Sequence, residues 1–244
     1  MSFIIGKLKK IYYAIDLFFF ERKSNGVKYI YRNNKSKKLI IIFSGIGGDY
    51  NYRRSLKKSS WDQLYIKDIW ADGVSYYMYE TGKNEPEKLV SQFIDLFLLN
   101  HSYREVVTFG SSKGGSSAIY YGLKHGVDEV YAGACQYRVG DYLGVFHENK
   151  GSGYYRKVMG SIEKTKGINI LNDAFENLLE NNSNSKTHIN LIYSTEEHTY
   201  KDDILPLIEK LDECGISHSD QIEKFPEHSM IGQVMKQICK NKFV

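Results

Sequence analysis

The chain has 244 residues, 42% of them hydrophobic and 14% aromatic, with 33 basic and 29 acidic side chains giving a net charge of +4. That length and apolar content suit one globular domain, and the charge balance is too even for a nucleic-acid-binding face. Cys135, Cys214 and Cys239 are odd in number and form no CxxC pair, which argues against a disulfide framework or a zinc site and for a reducing, cytoplasmic setting.

In chain order, Lys7–Lys10 lead into an apolar run, Ile11–Phe20, that carries Asp16 and ends at Glu21-Arg22-Lys23. The run is too short to span a bilayer, and no small-residue cleavage site follows it. Residues 1–26 therefore read as an amphipathic segment that packs on the domain, on a second subunit or as a peripheral contact on a membrane surface. Residues 27–244 read as a single domain. Val27–Tyr31 suits a short strand and Asn33–Ser36 a turn. Leu39–Phe43 is wholly apolar, the pattern of a strand buried on both faces of a parallel sheet, and it ends in the glycine-rich loop Ser44–Gly48.

Leu64–Ile69 and Ser75–Tyr79 are further strand candidates. Pro86 opens a helix whose apolar face is Leu89, Phe93, Ile94, Leu96 and Phe97. Glu105–Phe109 is the next strand, followed from about Ser116 to His125 by a helix that closes at Gly126. Val130–Ala134 reads as a strand, and Tyr154–Asn182 as mainly helical, part of an insertion or lid over about 143–185. Ile189–Tyr193 is another buried strand and Asp202–Cys214 an amphipathic helix. Gln221–Phe225 and the segment from Ile231 onward close the chain as a short strand and a helix. Strands alternating with helices predict an α/β fold: a mostly parallel central sheet with helices on both faces.

The strongest chemical signal is Gly110-Ser111-Ser112-Lys113-Gly114, a G-x-S-x-G pattern placed between a strand and a helix. There a serine sits on a sharp turn, its neighbours must be small, and its Oγ is lifted above the sheet. Walker and GxGxxG patterns do not fit. A serine hydroxyl needs a base, and this architecture orders its triad serine, acid, histidine. His228, after the last candidate strand, is the base predicted from position, with His198 and His147 as rivals. Glu197, after Ile189–Tyr193, is the predicted acid, with Glu196 as the alternative. Lys113 and Ile46 are the expected backbone N–H donors for an oxyanion.

Several aromatic residues could stack on sugar faces: Trp61, Trp70, Tyr50, Tyr52, Tyr76, Tyr77, Tyr137 and Tyr142. Arg53 and Arg54 could meet anionic groups. No metal is implied, no bound cofactor is expected, and the acyl donor is left open.

Five stretches together resemble capsular polysaccharide biosynthesis proteins of α/β-hydrolase type, which are related to accessory secretion-system proteins that O-acetylate adhesin glycans. They are Phe43-Ser44-Gly45, Tyr50-Asn51-Tyr52, the Gly110–Gly115 elbow with Ala118–Lys124, Gln136-Tyr137 with Gly140–Leu143, and Tyr193-Ser194 with Glu197–Tyr200. The resemblance implies a triad of Ser112, Glu197 and His228 and work on bacterial surface glycans. Tyr52, Arg53, Gln136 and Tyr137 are the candidate substrate contacts. Ala134-Cys135 departs from the expected Ala-Pro before Gln136. The expected activity is serine-dependent acyl transfer, an O-acetyltransferase. Its alternatives are a carbohydrate esterase with the same residues or a non-catalytic scaffold. The expected partners are a glycan or glycoconjugate substrate, a second copy of the chain or a polysaccharide biosynthesis complex, and no nucleic acid.

Overall fold

The computed structural model describes residues 19–47 and 49–244. Most of the segment read as amphipathic, residues 1–18, lies outside these. Of its remainder, Phe19 and Phe20 are helical and Glu21–Ser24 join the sheet. Glu21–Ser24 (β1) pairs antiparallel with Val27–Arg32 (β2) across Asn25-Gly26, both at positive φ (45° and 84°). This is the conformation an Asn-Gly hairpin turn favours. The boundary expected at residue 26 therefore falls inside a hairpin, because the turn chemistry of two residues couples the flanking segments.

The other strands are Lys38–Phe43 (β3), Asp62–Lys67 (β4), Glu105–Ser111 (β5), Glu129–Gly133 (β6), His188–Tyr193 (β7) and His218–Ile222 (β8). They form one eight-stranded sheet in the order β1-β2-β4-β3-β5-β6-β7-β8. All neighbouring pairs from β4 to β8 are parallel, and β2 runs against both of its neighbours. The long helices are Glu85–Leu99 (α1), Lys113–Lys124 (α2), Lys164–Asn181 (α4), Leu205–Glu213 (α5) and Ile231–Phe243 (α6), with the shorter Tyr154–Met159 (α3) before α4.

Alternate residues of β3 enter different clusters. Leu39, Ile41 and Phe43 pack with Val90 and Ile94 of α1, Ala118 and Tyr121 of α2, Leu171 of α4 and Leu207 of α5. Ile40 and Ile42 pack with Phe109, Tyr50, Tyr52 and Ile231, Met235 and Ile238 of α6. Every residue of Leu39–Phe43 is at most 1% exposed, which is why the run carries no polar alternation.

Two strand expectations need correction. Ser75–Tyr79 is a tight loop with Tyr76 and Tyr77 at φ 55° and 58°. Its apolar content comes from two tyrosines driven into the core, not from sheet pairing. β4 already has β2 and β3 on its two sides, so no edge beside it is open to the segment. The last strand lies three residues earlier than Gln221–Phe225. Phe225 is buried beyond the strand, its N–H donating to Ser194 Oγ at 3.3 Å, so its hydrophobicity serves the loop that follows. The region between β6 and β7 is helical as expected. It begins with a continuous helical stretch that neither the residue pattern nor a cap marks: Val139–Asp141, a π-helical turn Tyr142–Phe146 and His147–Asn149.

Candidate active site

Ser112 stands between β5 and α2 with φ 52° and ψ −129°, a backbone conformation that L residues rarely adopt. The glycines around it leave no choice of side chain. A Cβ on Gly110 would lie 2.0 Å from the carbonyl oxygen of Gly114, and one on Gly114 would lie 2.6 Å from that of Phe43. The turn is pinned by the Ser112 N–H donating to the Gly133 carbonyl of β6 at 2.7 Å. Because Lys113 opens α2, its N–H has no carbonyl four residues back within the helix. Gly45 sits beside this bend: a Cβ there would lie 3.8 Å from the Ser111 carbonyl oxygen. The loop carrying Ile46, which is 37% exposed, thus runs next to the elbow.

The structure brings Ser112, His228 and Glu197 together. Ser112 Oγ lies 2.8 Å from His228 Nε2, and His228 Nδ1 lies 3.0 Å from Glu197 Oε2. Ser112 and His228 are partly exposed, whereas the Glu197 side chain is fully buried. Thr199 donates to the other Glu197 oxygen. Burial pushes the Glu197 carboxyl up, but the hydrogen bonds from His228 and Thr199 outweigh it and the net shift is downward. Glu196 points to solvent, which separates two neighbours that the sequence left as alternatives.

Behind the elbow lies a polar network that the sequence did not reveal. Lys113 Nζ meets Asp68 Oδ2 at 2.7 Å, with both side chains 0% exposed, and sits 4.5 Å from the centre of the Tyr77 ring. Burial lowers the Lys113 pKa, and Asp68 opposes that shift. Asp68 Oδ1 accepts from the Ser75 hydroxyl at 2.6 Å and the Trp70 N–H at 3.2 Å. The Tyr77 hydroxyl accepts from the Ser44 N–H at 2.7 Å and donates to the Ile66 carbonyl at 2.8 Å. One buried assembly therefore ties the residue after Ser112 to the loop that begins at Ser44. This explains why two tyrosines leave the strand pattern at Ser75–Tyr79.

Of the expected substrate contacts, Tyr52, Gln136 and Tyr137 are buried at 7%, 0% and 7% exposure. Tyr52 bonds Ser111 Oγ at 2.5 Å. Gln136 accepts from the Tyr76 hydroxyl at 3.0 Å and donates to the Ala134 carbonyl at 3.1 Å. The Tyr137 ring packs edge-on against Phe175. Tyr52 and Gln136 thus have their polar ends matched inside, where they brace the elbow and the β6 loop rather than facing an open cleft. Arg53 is half-buried in the loop after Tyr52. Trp70, Tyr50, Tyr76 and Tyr77 are likewise core residues, and Tyr142 is the one among the aromatic candidates that borders a cavity. Cys135 is fully buried, where burial pushes its thiol up.

That cavity, of about 560 Å³, opens between the helical stretch after β6 and the turn after β7. His198 is in its wall. The His198 ring stacks on Phe146 at 4.6 Å and 7°, lies 5.1 Å from the His228 ring, and has Nδ1 3.4 Å from Glu197 Oε2. Burial lowers the His198 pKa, Glu197 raises it and His228 lowers it further. His147, the other rival base, packs against Tyr142 and Tyr154 instead. At the cavity floor, burial raises the Asp203 carboxyl to about 7 against the two backbone N–H groups, of Arg138 and Tyr137, that it accepts at 2.9 Å each. Glu197, His198 and His228 hold ligand atoms within 4.8 Å of one another, a set that could bind a metal ion. Such an ion would compete for the Glu197 oxygen and His228 nitrogen that now bond each other.

No family model matches this sequence, and no curated protein matches it. Solved structures do. The capsule O-acetyltransferase of Neisseria meningitidis serogroup A superposes with a TM-score of 0.73 over 91% of this chain and 94% of that one, at 19% identity. The fold is that of the α/β-hydrolases. The same capsule enzyme is also solved as a histidine-to-alanine variant in complex with CoA. A glycosylation-associated protein complex of Streptococcus agalactiae matches with a TM-score of 0.69 over 90% of this chain and 45% of that one, at 16% identity. A fluorophosphonate-binding serine hydrolase of Staphylococcus aureus matches at 0.63 over 90% and 95%, at 14% identity. The structures sharing this fold thus include capsular and glycosylation-associated proteins of the kind the sequence resembles. Among the described residues, no helix is long and apolar enough to cross a membrane.

Proposed function

We propose that the protein is a serine-dependent O-acetyltransferase that modifies a hydroxyl of a bacterial surface or capsular polysaccharide. The observation that carries this reading is the chain from Ser112 Oγ through His228 to the buried Glu197 carboxylate, at 2.8 and 3.0 Å, on a strained turn at a helix N-terminus. His228 takes the Ser112 proton as Oγ attacks the acyl carbonyl, and Glu197 holds the imidazole tautomer and balances its positive charge. The N–H groups of Lys113 and Ile46 stabilise the tetrahedral oxyanion. His228 then protonates the leaving group, and the acetyl group remains on Ser112. An acceptor hydroxyl gives its proton to the same Nε2 and attacks the acyl-enzyme, restoring free serine. The helical segment after β6 acts as the lid, and the two clusters on alternate strand residues support helical cover of both sheet faces.

The likeness to a capsule O-acetyltransferase supports the glycan acceptor, and the CoA bound to that enzyme's variant makes acetyl-CoA the first donor to test. The same residues would hydrolyse an ester if water replaced the sugar, a reading favoured by the likeness to a serine hydrolase over 95% of that chain. Fluorophosphonate treatment followed by peptide mapping tests the shared chemistry: Ser112 is labelled, and His228→Ala abolishes labelling. Incubation with acetyl-CoA, with and without polysaccharide, then separates the two. Acetyl released only to water rejects transfer.

A further inference from the structure

We propose that the cavity walled by His198, Phe146 and Val145 is the subsite for the acceptor sugar, entered separately from the acyl donor. This inference rests on the acyl-transfer reading above. Transfer requires a second substrate to deliver a hydroxyl to His228 Nε2 after Ser112 is acylated. His198 connects the cavity to that base: it lines the cavity, which neither Ser112 nor His228 does, and its ring centre lies 5.1 Å from that of His228. The expected contacts Gln136 and Tyr137 are buried, and Tyr142 borders the cavity instead.

The lining fits a hydroxyl-rich ring better than the alternatives. Its volume is within the range of small-ligand sites. Val145, 46% exposed, and the half-buried Phe146 give an apolar surface on which the C–H face of a sugar can rest. Exposed Asp202 offers acceptors to sugar hydroxyls, and Lys201 and Asn149 offer donors. Arg138 and Asp141 pair with each other at 3.1 Å. The two cations in the wall, Arg138 and Lys201, are balanced by the carboxylates of Asp141 and Asp202, and the buried Asp203 carboxyl, raised to about 7, adds only part of a further negative charge. A polyanionic donor such as CoA needs a net positive site, and a wall without net positive charge fits an acceptor sugar better.

The test uses the full chain carrying Ser112→Ala, so that bound sugar is not turned over, against a printed panel of bacterial capsular and cell-wall polysaccharides. At least one member binds, and its affinity falls at least tenfold when Val145→Trp or Asp202→Ala is added. Both positions are exposed, and an unchanged melting temperature shows that the variants are folded. Binding to no member, or binding that survives both substitutions, overturns the subsite. Fluorophosphonate labelling of the unsubstituted protein keeps the two readings apart. Labelled Ser112 with no polysaccharide bound rejects the subsite alone, and cavity-dependent binding without labelling rejects the serine chemistry alone.

Discussion

On the inner side of Ser112, Lys113 and Asp68 face each other with both side chains 0% exposed, and every partner around them is supplied by the protein. On the outer side, His198 is 38% exposed, and Lys201 and Asp202 stand at the surface around a cavity. Under the proposed function the two sides have different physical tasks. Backbone donors for a developing oxyanion stabilise it best when they cannot reorient, and a buried ion pair behind the elbow restrains them. A surface that binds a second substrate must exchange water for ligand, so its polar groups remain solvated until the ligand arrives. Glu197 lies where the two meet, bonded to His228 on one side and 3.4 Å from His198 on the other.

The largest effect is expected at that meeting point. Glu197→Gln should lower kcat on an activated acetyl ester by about 10³–10⁴-fold, because a neutral amide no longer steadies the imidazolium. A loss smaller than tenfold would break the assignment of Glu197 to the relay. Next comes the inner side. Lys113→Met leaves Asp68 charged and unpaired and should cost about 3–5 kcal/mol of stability in urea unfolding, with Lys113→Met/Asp68→Asn recovering more than half. An unstable double variant would mean that the aliphatic stem, not the charge pair, carries the packing.

The outer side should reveal itself through pH. Asp203 binds its proton more tightly folded, at about 7, than in the unfolded chain near 3.8. Stability should therefore fall as pH rises between these values and level off above them, by an amount on the order of 4 kcal/mol. Asp203→Asn keeps an oxygen for the Tyr137 and Arg138 N–H groups and should flatten that slope in melting curves taken from pH 5 to 8. Glu197 acts in the opposite sense, since its depressed pKa contributes stability that is lost only as pH drops below the ordinary 4.5. The smallest change is Tyr52→Phe, which removes the bond to Ser111 and should cost about 1 kcal/mol in chemical unfolding. A larger loss would extend the rigid inner side across to the opposite face of β5.

Much of the site was legible because it is local or ordered along the chain. Gly110 and Gly114 are required by contacts at 2.0 and 2.6 Å within the bend, so the elbow is written into consecutive residues. The turn Asn25-Gly26 is equally local, and its Asn-Gly pair was a signal available to a sequence reading that instead ended a segment there. His228 and Glu197 followed from their order after the last two strands. The burial of Tyr52, Gln136 and Tyr137 was not legible, because a tyrosine or glutamine looks the same in sequence whether it lines a surface or packs inside.

By itself, the sequence determined the alternating strands and helices, the sharp serine turn and the order of its partners, since these depend on periodicity and on steric limits within a few residues. Only the tertiary structure separated Glu196, which is exposed, from Glu197, which is buried against His228. The same holds for the pairing of Lys113 with Asp68, which lie 45 positions apart, and for the placing of His198 beside the cavity. Burial and long-range pairing set those features, and they depend on which surfaces the folded sheet brings face to face.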